Sequence, residues 1–92
     1  MTSKKSDHFT VINEKGLHTR PSTELVKCAT QFRSEVQLSL QEVTVNAKSL
    51  LGILMLAAAK GSRVSVEAVG EDAEEVICGI LDLARNRFHI SY

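Results

Sequence analysis

A histidine, an arginine and the only proline of the chain stand within four positions of one another, at His18, Arg20 and Pro21. A neutral imidazole is a nucleophile, and a guanidinium presents a fork of donors that matches phosphate oxygens. Pro21 is typical of the first turn of a helix, because the N–H that proline lacks has no partner there in any case. We therefore predict that His18 stands at a helix N-terminus, where amides and the helix dipole form an anion site.

The sequence lacks the parts that would let such a histidine use a nucleotide directly. Lys60-Gly61-Ser62 has the wrong order for a Walker phosphate loop and follows a helical pattern. No pair of acidic residues suited to Mg²⁺ adjoins His18, and no serine or cysteine nucleophile supported by histidine and aspartate is evident. We predict a carrier that takes phosphate from another phosphorylated protein, without a cofactor and without turnover of a small substrate of its own.

The composition excludes several other classes of function. Lysine plus arginine equals aspartate plus glutamate, at 11 each among 92 residues, so no net charge favours nucleic acid or an anionic membrane. The longest apolar run, Leu50–Ala59, is too short to span a bilayer. With no signal sequence, Cys28 and Cys78 are expected as reduced thiols in a cytoplasmic protein. His8 and His89 lack neighbours at metal-ligand spacing, so no metal site is expected.

The hydrophobic periodicity predicts an element order of β-α-β-β-α-β-α. Strands are expected at Phe9–Ile12, Val36–Leu40, Val43–Val45 and Val64–Ala68, and helices near Pro21–Phe32, Ser49–Lys60 and Ala73–Phe88. The alternating strands favour an α+β fold, with three helices on one face of a four-stranded, largely antiparallel sheet. We expect residues 1–92 to form a single domain, with residues 1–7 as a mobile tail.

The second predicted helix is apolar on nearly all sides. Ile53, Leu56 and Ala57 fall on one side, whereas Leu50, Leu51 and Leu54 point largely away from it. A small domain cannot bury both sides, so the outer leucines are either ordinary exposed residues or a docking patch for a partner. Ser49 precedes this helix and is predicted to be its N-cap.

Two motifs together resemble those of one known family. Gly16-Leu17-His18-Thr19-Arg20-Pro21, followed at a distance by Asn46-Ala47-Lys48-Ser49-Leu50-Leu51-Gly52, is similar to HPr, the histidine-containing phosphocarrier of the bacterial phosphotransferase system. The resemblance runs from about Phe9 to Phe88. It implies an open-faced β-sandwich in which His18 accepts phosphate on Nδ1 from enzyme I and passes it to histidines of enzyme II A-type domains, in sugar uptake or in a nitrogen-related regulatory chain.

The same resemblance assigns expected roles to further residues. Arg20 matches the arginine that neutralises the phosphate, and Thr19 is expected beside it. Ser22 departs from the resemblance, because alanine is commoner in the family at this position. Its hydroxyl is expected first as a cap for the backbone and also as a candidate contact to the phosphate. Ser49 matches a serine that a regulatory kinase modifies in some bacteria. The resemblance favours docking at Leu50, Leu51 and Leu54. Lys27 and Lys48, with Arg20, are either a positive rim for acidic partners or ordinary solvated residues. The protein is expected to be a monomer.

Two alternatives remain open at this point. One is a non-catalytic regulator of the same fold, which is expected to have lost the reactive histidine, whereas His18 is present. The other is a ferredoxin-like RNA-binding module, which needs aromatic residues on its open strands. Three phenylalanines and one tyrosine, none in an aromatic-rich strand, argue against it. The turn at Gln41-Glu42 contains no glycine, so the sequence leaves its type undecided.

Overall fold

The computed structural model describes residues 3–90. Its strands are β1 (Ser3–Thr10), β2 (Glu35–Leu40), β3 (Val43–Asn46) and β4 (Arg63–Gly70); its helices are α1 (Thr19–Thr30), α2 (Leu50–Met55) and α3 (Ala73–Arg85), followed by a 3₁₀ turn (Arg87–His89). All neighbouring strands are antiparallel, in the order β1-β4-β2-β3. The predicted element order and the four-stranded antiparallel sheet with three helices are therefore confirmed.

The sheet has one apolar face and one polar face, as the alternating strands require. Val64, Val66 and Ala68 are buried along β4, and their neighbours in the strand are more exposed. On the polar face, Ser39 and Thr44 share a hydrogen bond of 2.9 Å between their hydroxyl oxygens across β2 and β3. Burial of the alternate apolar residues fixes the register, because a slip of one residue would expose all of them.

The helices complete the core on the apolar face. Leu25 of α1 and Ile80 of α3 are fully buried, and so is Phe88, whose ring meets that of Phe9 edge to face at 5.8 Å between centroids. Phe88 was expected at the end of the third helix. It lies instead in the 3₁₀ turn after Arg85, where three consecutive residues have positive φ. Within residues 3–90 no helix is long and apolar enough to cross a bilayer.

The expected mobile tail over residues 1–7 is wrong for residues 3–7. They belong to β1, which pairs with β4 along its whole length, from Ser3 opposite Gly70 to Thr10 opposite Arg63. Residues 1 and 2 lie outside the described part of the chain. The error has a physical cause: β1 is an edge strand in which only Phe9 is buried, so backbone hydrogen bonds hold its polar residues in the sheet.

The second helix is shorter than its apolar run predicts. It ends at Met55, and the following segment turns away with Ala57 at a φ of +50°. The reason is a tertiary contact, because the Leu17 N–H donates to the carbonyl oxygen of Ala58 at 2.8 Å. A helix continued to Lys60 would need a negative φ at Ala57, so the backbone that brings the Ala58 carbonyl to Leu17 replaces the expected helical turns, and tertiary pairing overrides helix propensity.

A two-residue turn connects β2 and β3, since Leu40 pairs with Val43. Of its two residues only Gln41 has a positive φ, at +57°. This combination of signs is that of a type II′ hairpin turn, in which glycine is preferred at the first position. Because the turn contains no glycine, Gln41 adopts a positive φ that is unfavourable for a residue with a Cβ.

Candidate functional site

His18 is the N-cap of α1, with an extended backbone (φ −83°, ψ −165°). The predicted position at a helix N-terminus is confirmed. The side chain is half-buried, and its Nε2 atom has less than 1 Å² of accessible surface. A ring nitrogen with so little accessible surface is closed to a reacting protein.

The loop before His18 is held in place by close backbone contacts. Gly16 has a φ of +72°, and a Cβ at this position would lie 2.4 Å from the carbonyl oxygen of Ala58. Only glycine therefore permits the approach that the Leu17 N–H to Ala58 hydrogen bond requires. From the other side, the buried Asn13 donates from Nδ2 to the carbonyl oxygen of Arg87 at 2.9 Å. The imidazole thus stands on a loop tied to two distant parts of the chain.

The first turn of α1 supplies the polar surroundings of His18. The first N–H of the helix to join the intrahelical ladder is that of Ser22, which donates to His18 O at 3.1 Å. The amides outside the ladder are those of Thr19 and Arg20, because Pro21 has none. Thr19 and Arg20 are both exposed at this turn, and the aligned peptide dipoles favour a negative group there.

The expected phosphate contact of the Ser22 hydroxyl is wrong. Ser22 is fully buried, and its Oγ donates to the carbonyl oxygen of Leu17 at 3.0 Å. A hydroxyl in that environment has no route to a phosphate at the surface. Ser22 instead braces the loop that carries His18, which corresponds to the backbone role that the sequence left as its alternative.

A shallow depression of about 350 Å³ adjoins His18. Its lining consists of the imidazole and residues from the loop before α1 and from the end of α2, namely Lys15, Leu17, His18, Leu54, Ala57, Ala58 and Ala59. Of the leucines expected to form a docking patch, Leu54 therefore lies directly beside the histidine. The folded chain therefore brings the first motif against the end of α2, whereas no residue of Asn46–Gly52 lines the depression.

The outer face of α2 is strongly exposed. Leu51 retains 70% of its accessible surface, Met55 68% and Leu50 36%, whereas Ile53 is fully buried. Met55 was not predicted from the sequence, although its spacing of four residues from Leu51 places both on one helix face. Together with the half-buried Leu54, these exposed residues form an apolar face that we call the α2 face.

Ser49 is the N-cap of α2, as predicted. Its Oγ accepts a hydrogen bond from the Gly52 N–H at 3.0 Å, and its backbone is extended. The turn before it is held by Asn46, whose Oδ1 accepts the Lys48 N–H at 2.8 Å. The hydroxyl of Ser49 therefore stands at the start of the α2 face.

The structure places the two expected rim lysines apart from the depression. Lys27 is in the last turn of α1, about 13 Å along the helix axis from His18, and its Nζ lies 3.4 Å from a carboxylate oxygen of Glu24. Lys48 donates from Nζ to the carbonyl oxygen of Phe32 at 2.9 Å. Neither lysine lines the depression beside the histidine.

The other two histidines lie outside this site. His8 is on β1, where its Nδ1 is 3.2 Å from a guanidinium nitrogen of Arg63, and His89 is exposed in the 3₁₀ turn. Within residues 3–90 no group of His, Cys, Asp or Glu side chains has the arrangement of a metal site.

Comparison with known proteins gives the site its context. The sequence profile of the family PTS-HPr, described as "PTS HPr component phosphorylation site", matches residues 5–86. The chain belongs to the HPr family. Its relatives include the phosphocarrier protein HPr of Cupriavidus necator, 44% identical over 79 residues that cover 86% of this chain and 89% of the relative. As a member of this family the chain is a phosphocarrier of the phosphotransferase system.

Solved HPr structures share the fold. The crystal structure of HPr-C-His from Thermoanaerobacter tengcongensis superposes with a TM-score of 0.90 at 34% identity, covering 96% of this chain and 99% of that one. An HPr dimer from the same organism has a TM-score of 0.75 at 36% identity, with 87% and 92% covered. The open-faced sandwich expected from the resemblance is therefore confirmed.

Proposed function

We propose that His18 accepts a phosphoryl group from phosphorylated enzyme I and passes it to histidines of enzyme II A-type domains. The observation that carries this proposal is the placement of His18 at the N-terminus of α1, with Nε2 buried and Arg20 in the same turn. The transfer serves sugar uptake or a nitrogen-related regulatory chain. It takes place in the cytoplasm, on a monomer that forms a single domain.

The reaction is an in-line displacement at phosphorus. The lone pair on Nδ1 of His18 forms a new N–P bond while the N–P bond of the donor phosphohistidine breaks, and that electron pair returns to the donor imidazole. The second transfer repeats this step with His18 as the donor. No small substrate is turned over, so the protein acts only between its two partners.

The stored phosphate is stabilised at the start of α1. The helix dipole contributes about 0.3–1 kcal/mol, and a hydrogen bond from the charged Arg20 contributes about 1.5–3 kcal/mol. Thr19 is exposed in the same turn, and we assign it to the surroundings of the phosphate as well. A total of roughly 2–4 kcal/mol holds the group while leaving it transferable.

Partners dock over the α2 face. Leu50, Leu51 and Leu54 exclude water around the reacting imidazole, and Lys27 and Lys48 act at longer range on acidic partners. A serine kinase and phosphatase that act on Ser49 would regulate docking, because Ser49 lies at the start of this face. Both partners need the same surface, so the two transfers are sequential.

The arrangement of aromatic residues does not favour the RNA-binding alternative. Among residues 3–90, Phe9 and Phe88 are buried against each other and Phe32 is half-buried. Sheet-based recognition of single-stranded RNA depends on exposed rings that stack on bases.

The proposal is tested by incubation with enzyme I and phosphoenolpyruvate. We expect one phosphate per chain, labile in acid and stable in base as a phosphoramidate is, and none on the variant His18→Ala. His8→Ala and His89→Ala are matched controls that keep the label. Label that survives acid, or that persists on His18→Ala, contradicts the carrier function.

A further inference from the structure

The chain leaves α3 through a 3₁₀ turn whose backbone is strained. Arg87, Phe88 and His89 have φ values of +55°, +55° and +61°. In this left-handed region the Cβ of an L-residue crowds the neighbouring carbonyl, so such residues normally occur singly. Glycine, which avoids this crowding, is absent from all three positions. The turn therefore needs contacts elsewhere in the protein that offset its strain.

Two fully buried side chains supply such contacts. The Phe88 ring packs edge to face against Phe9, with 5.8 Å between the ring centroids. The Asn13 side chain donates from Nδ2 to the carbonyl oxygen of Arg87 at 2.9 Å. A strained backbone persists only where the surrounding structure fixes it by several contacts. Phe88 and Asn13 therefore hold the 3₁₀ turn in place from two sides.

Asn13 also connects the 3₁₀ turn to the loop that carries His18. Its carbonyl oxygen accepts the Gly16 N–H at 3.0 Å, which closes the tight turn that leads into Leu17 and His18. On the other side of His18, α1 packs directly against the 3₁₀ turn. The 3₁₀ turn thus contacts the segment before the histidine and the helix after it.

We propose that Asn13 and Phe88 are positioning residues for phosphoryl transfer, which hold the loop before His18 in the orientation that in-line attack requires. Both side chains are fully buried, so they act through the loop and do not touch the phosphoryl group. An in-line displacement depends on alignment of the reacting atoms, and a misplacement of about 1 Å costs about a hundredfold in rate. The inference rests on the proposed function of His18 as the phosphoryl acceptor.

The variant Asn13→Ala tests the proposal, because it removes the hydrogen bond to Arg87 and leaves the surface of the protein unchanged. We expect the Tm to fall by about 4–8 °C, as loss of one buried hydrogen bond predicts. The kcat for phosphorylation by enzyme I should fall about tenfold, while the KM stays within about twofold of the wild type. The NMR chemical shifts of the His18 ring should change as well.

Ser34→Ala is the matched control. The Ser34 hydroxyl is buried and donates to Asp72, at the end of the sheet opposite to the end where β1 leads into the loop before His18. This variant should lower the Tm similarly and leave kcat and the His18 ring shifts at their wild-type values. All kinetics are measured well below each Tm, so that every variant is folded.

Phe88→Leu perturbs the 3₁₀ turn from its other side and should also lower kcat without a change in KM. Because Asn13 and Phe88 act through the same turn, the double variant Asn13→Ala/Phe88→Leu should lose no more kcat than the slower single variant. Val36→Ala, which removes buried apolar volume on β2, is the control for core destabilisation and should keep the wild-type kcat.

The results separate this inference from the proposed function. A wild-type kcat in Asn13→Ala overturns the inference, as does an equal loss of kcat in Ser34→Ala or losses that add in the double variant. Should Asn13→Ala fail to fold, the kcat of Phe88→Leu against that of Val36→Ala decides. Phosphoramidate serves as a small phosphoryl donor, and it should label His18 about tenfold more slowly in Asn13→Ala than in the wild type. If enzyme I does not label the wild type, the proposed donor is wrong, and the rates with phosphoramidate still decide whether Asn13 positions His18.

Discussion

Substitutions of Ser49 test the stability of α2 and its role as a docking surface independently of each other. The Ser49 Oγ accepts the Gly52 N–H at 3.0 Å, and this bond is lost in Ser49→Ala. Loss of such a cap costs about 1 kcal/mol, which lowers the Tm of a domain of this size by about 4–8 °C. Ser49→Asp and Ser49→Asn retain a side-chain oxygen that can accept the same bond, so both should melt near the wild-type temperature.

The aspartate variant differs from the asparagine variant only in its charge. That charge directly precedes Leu50 and Leu51, where a docking partner must exclude water and where acidic partner groups are repelled. A penalty of about 0.5–1 kcal/mol, typical of exposed charges, raises the KM for enzyme I about twofold to fivefold. The effect should weaken from 0.1 M to 1 M salt, as the Debye length falls from about 10 Å to about 3 Å.

The assay measures the melting temperature and the phosphotransfer kinetics on the same preparations of the three variants and the wild type. Ser49→Asn is the matched control, and its KM should equal that of the wild type. Early unfolding of Ser49→Asp, or its transfer at the wild-type rate in low salt, would refute the docking role of α2. An equal rise in KM for Ser49→Asn would show that charge is not the cause. Phosphorylation adds a larger charge, about −1.5 to −2, so its effect should exceed that of aspartate.

Two further predictions concern Arg20 and Asp72. Arg20→Ala should slow phosphotransfer roughly tenfold to a hundredfold, because one charged hydrogen bond to the phosphate is lost. The Tm should change little, because Arg20 is exposed. Unchanged transfer kinetics would contradict the role of Arg20. Hydrogen bonds from the Ser34 hydroxyl and from the N–H groups of Arg33 and Ser34 hold the pKa of Asp72 at about 2, below its ordinary 3.8. Because the pKa is lower in the folded protein, the ionised carboxylate stabilises the fold at any pH above the pKa that Asp72 has in the unfolded chain. This stabilisation is lost as the pH falls through about 2. Asp72→Asn should therefore have a lower Tm than the wild type at pH 7. Thermal melts followed by circular dichroism should show that this difference in Tm narrows between pH 4 and pH 2. A difference in Tm that stays constant over that range contradicts this account.

The features that the sequence determined by itself depend on local chemistry. Pro21 marks the first turn of α1 and so places His18 at its N-terminus, and Ser49 caps α2 through a residue three positions later. Alternation along β2 and β4 identified the buried face of the sheet. Each of these depends on dihedral preferences or side-chain periodicity within a few residues, which the order of amino acids specifies directly.

The tertiary structure decided the features that depend on residues far apart in the chain. The polar residues 3–7 form a strand because β4 offers them a backbone ladder, and α2 stops early because the carbonyl of Ala58 pairs with Leu17. The Ser22 hydroxyl is removed from the site by burial, and Leu54 reaches His18 only when the loop before α1 packs on the end of α2. Residue types and local spacing do not predict such long-range contacts. The order of the strands and the packing of the core determine which distant backbone groups form hydrogen bonds.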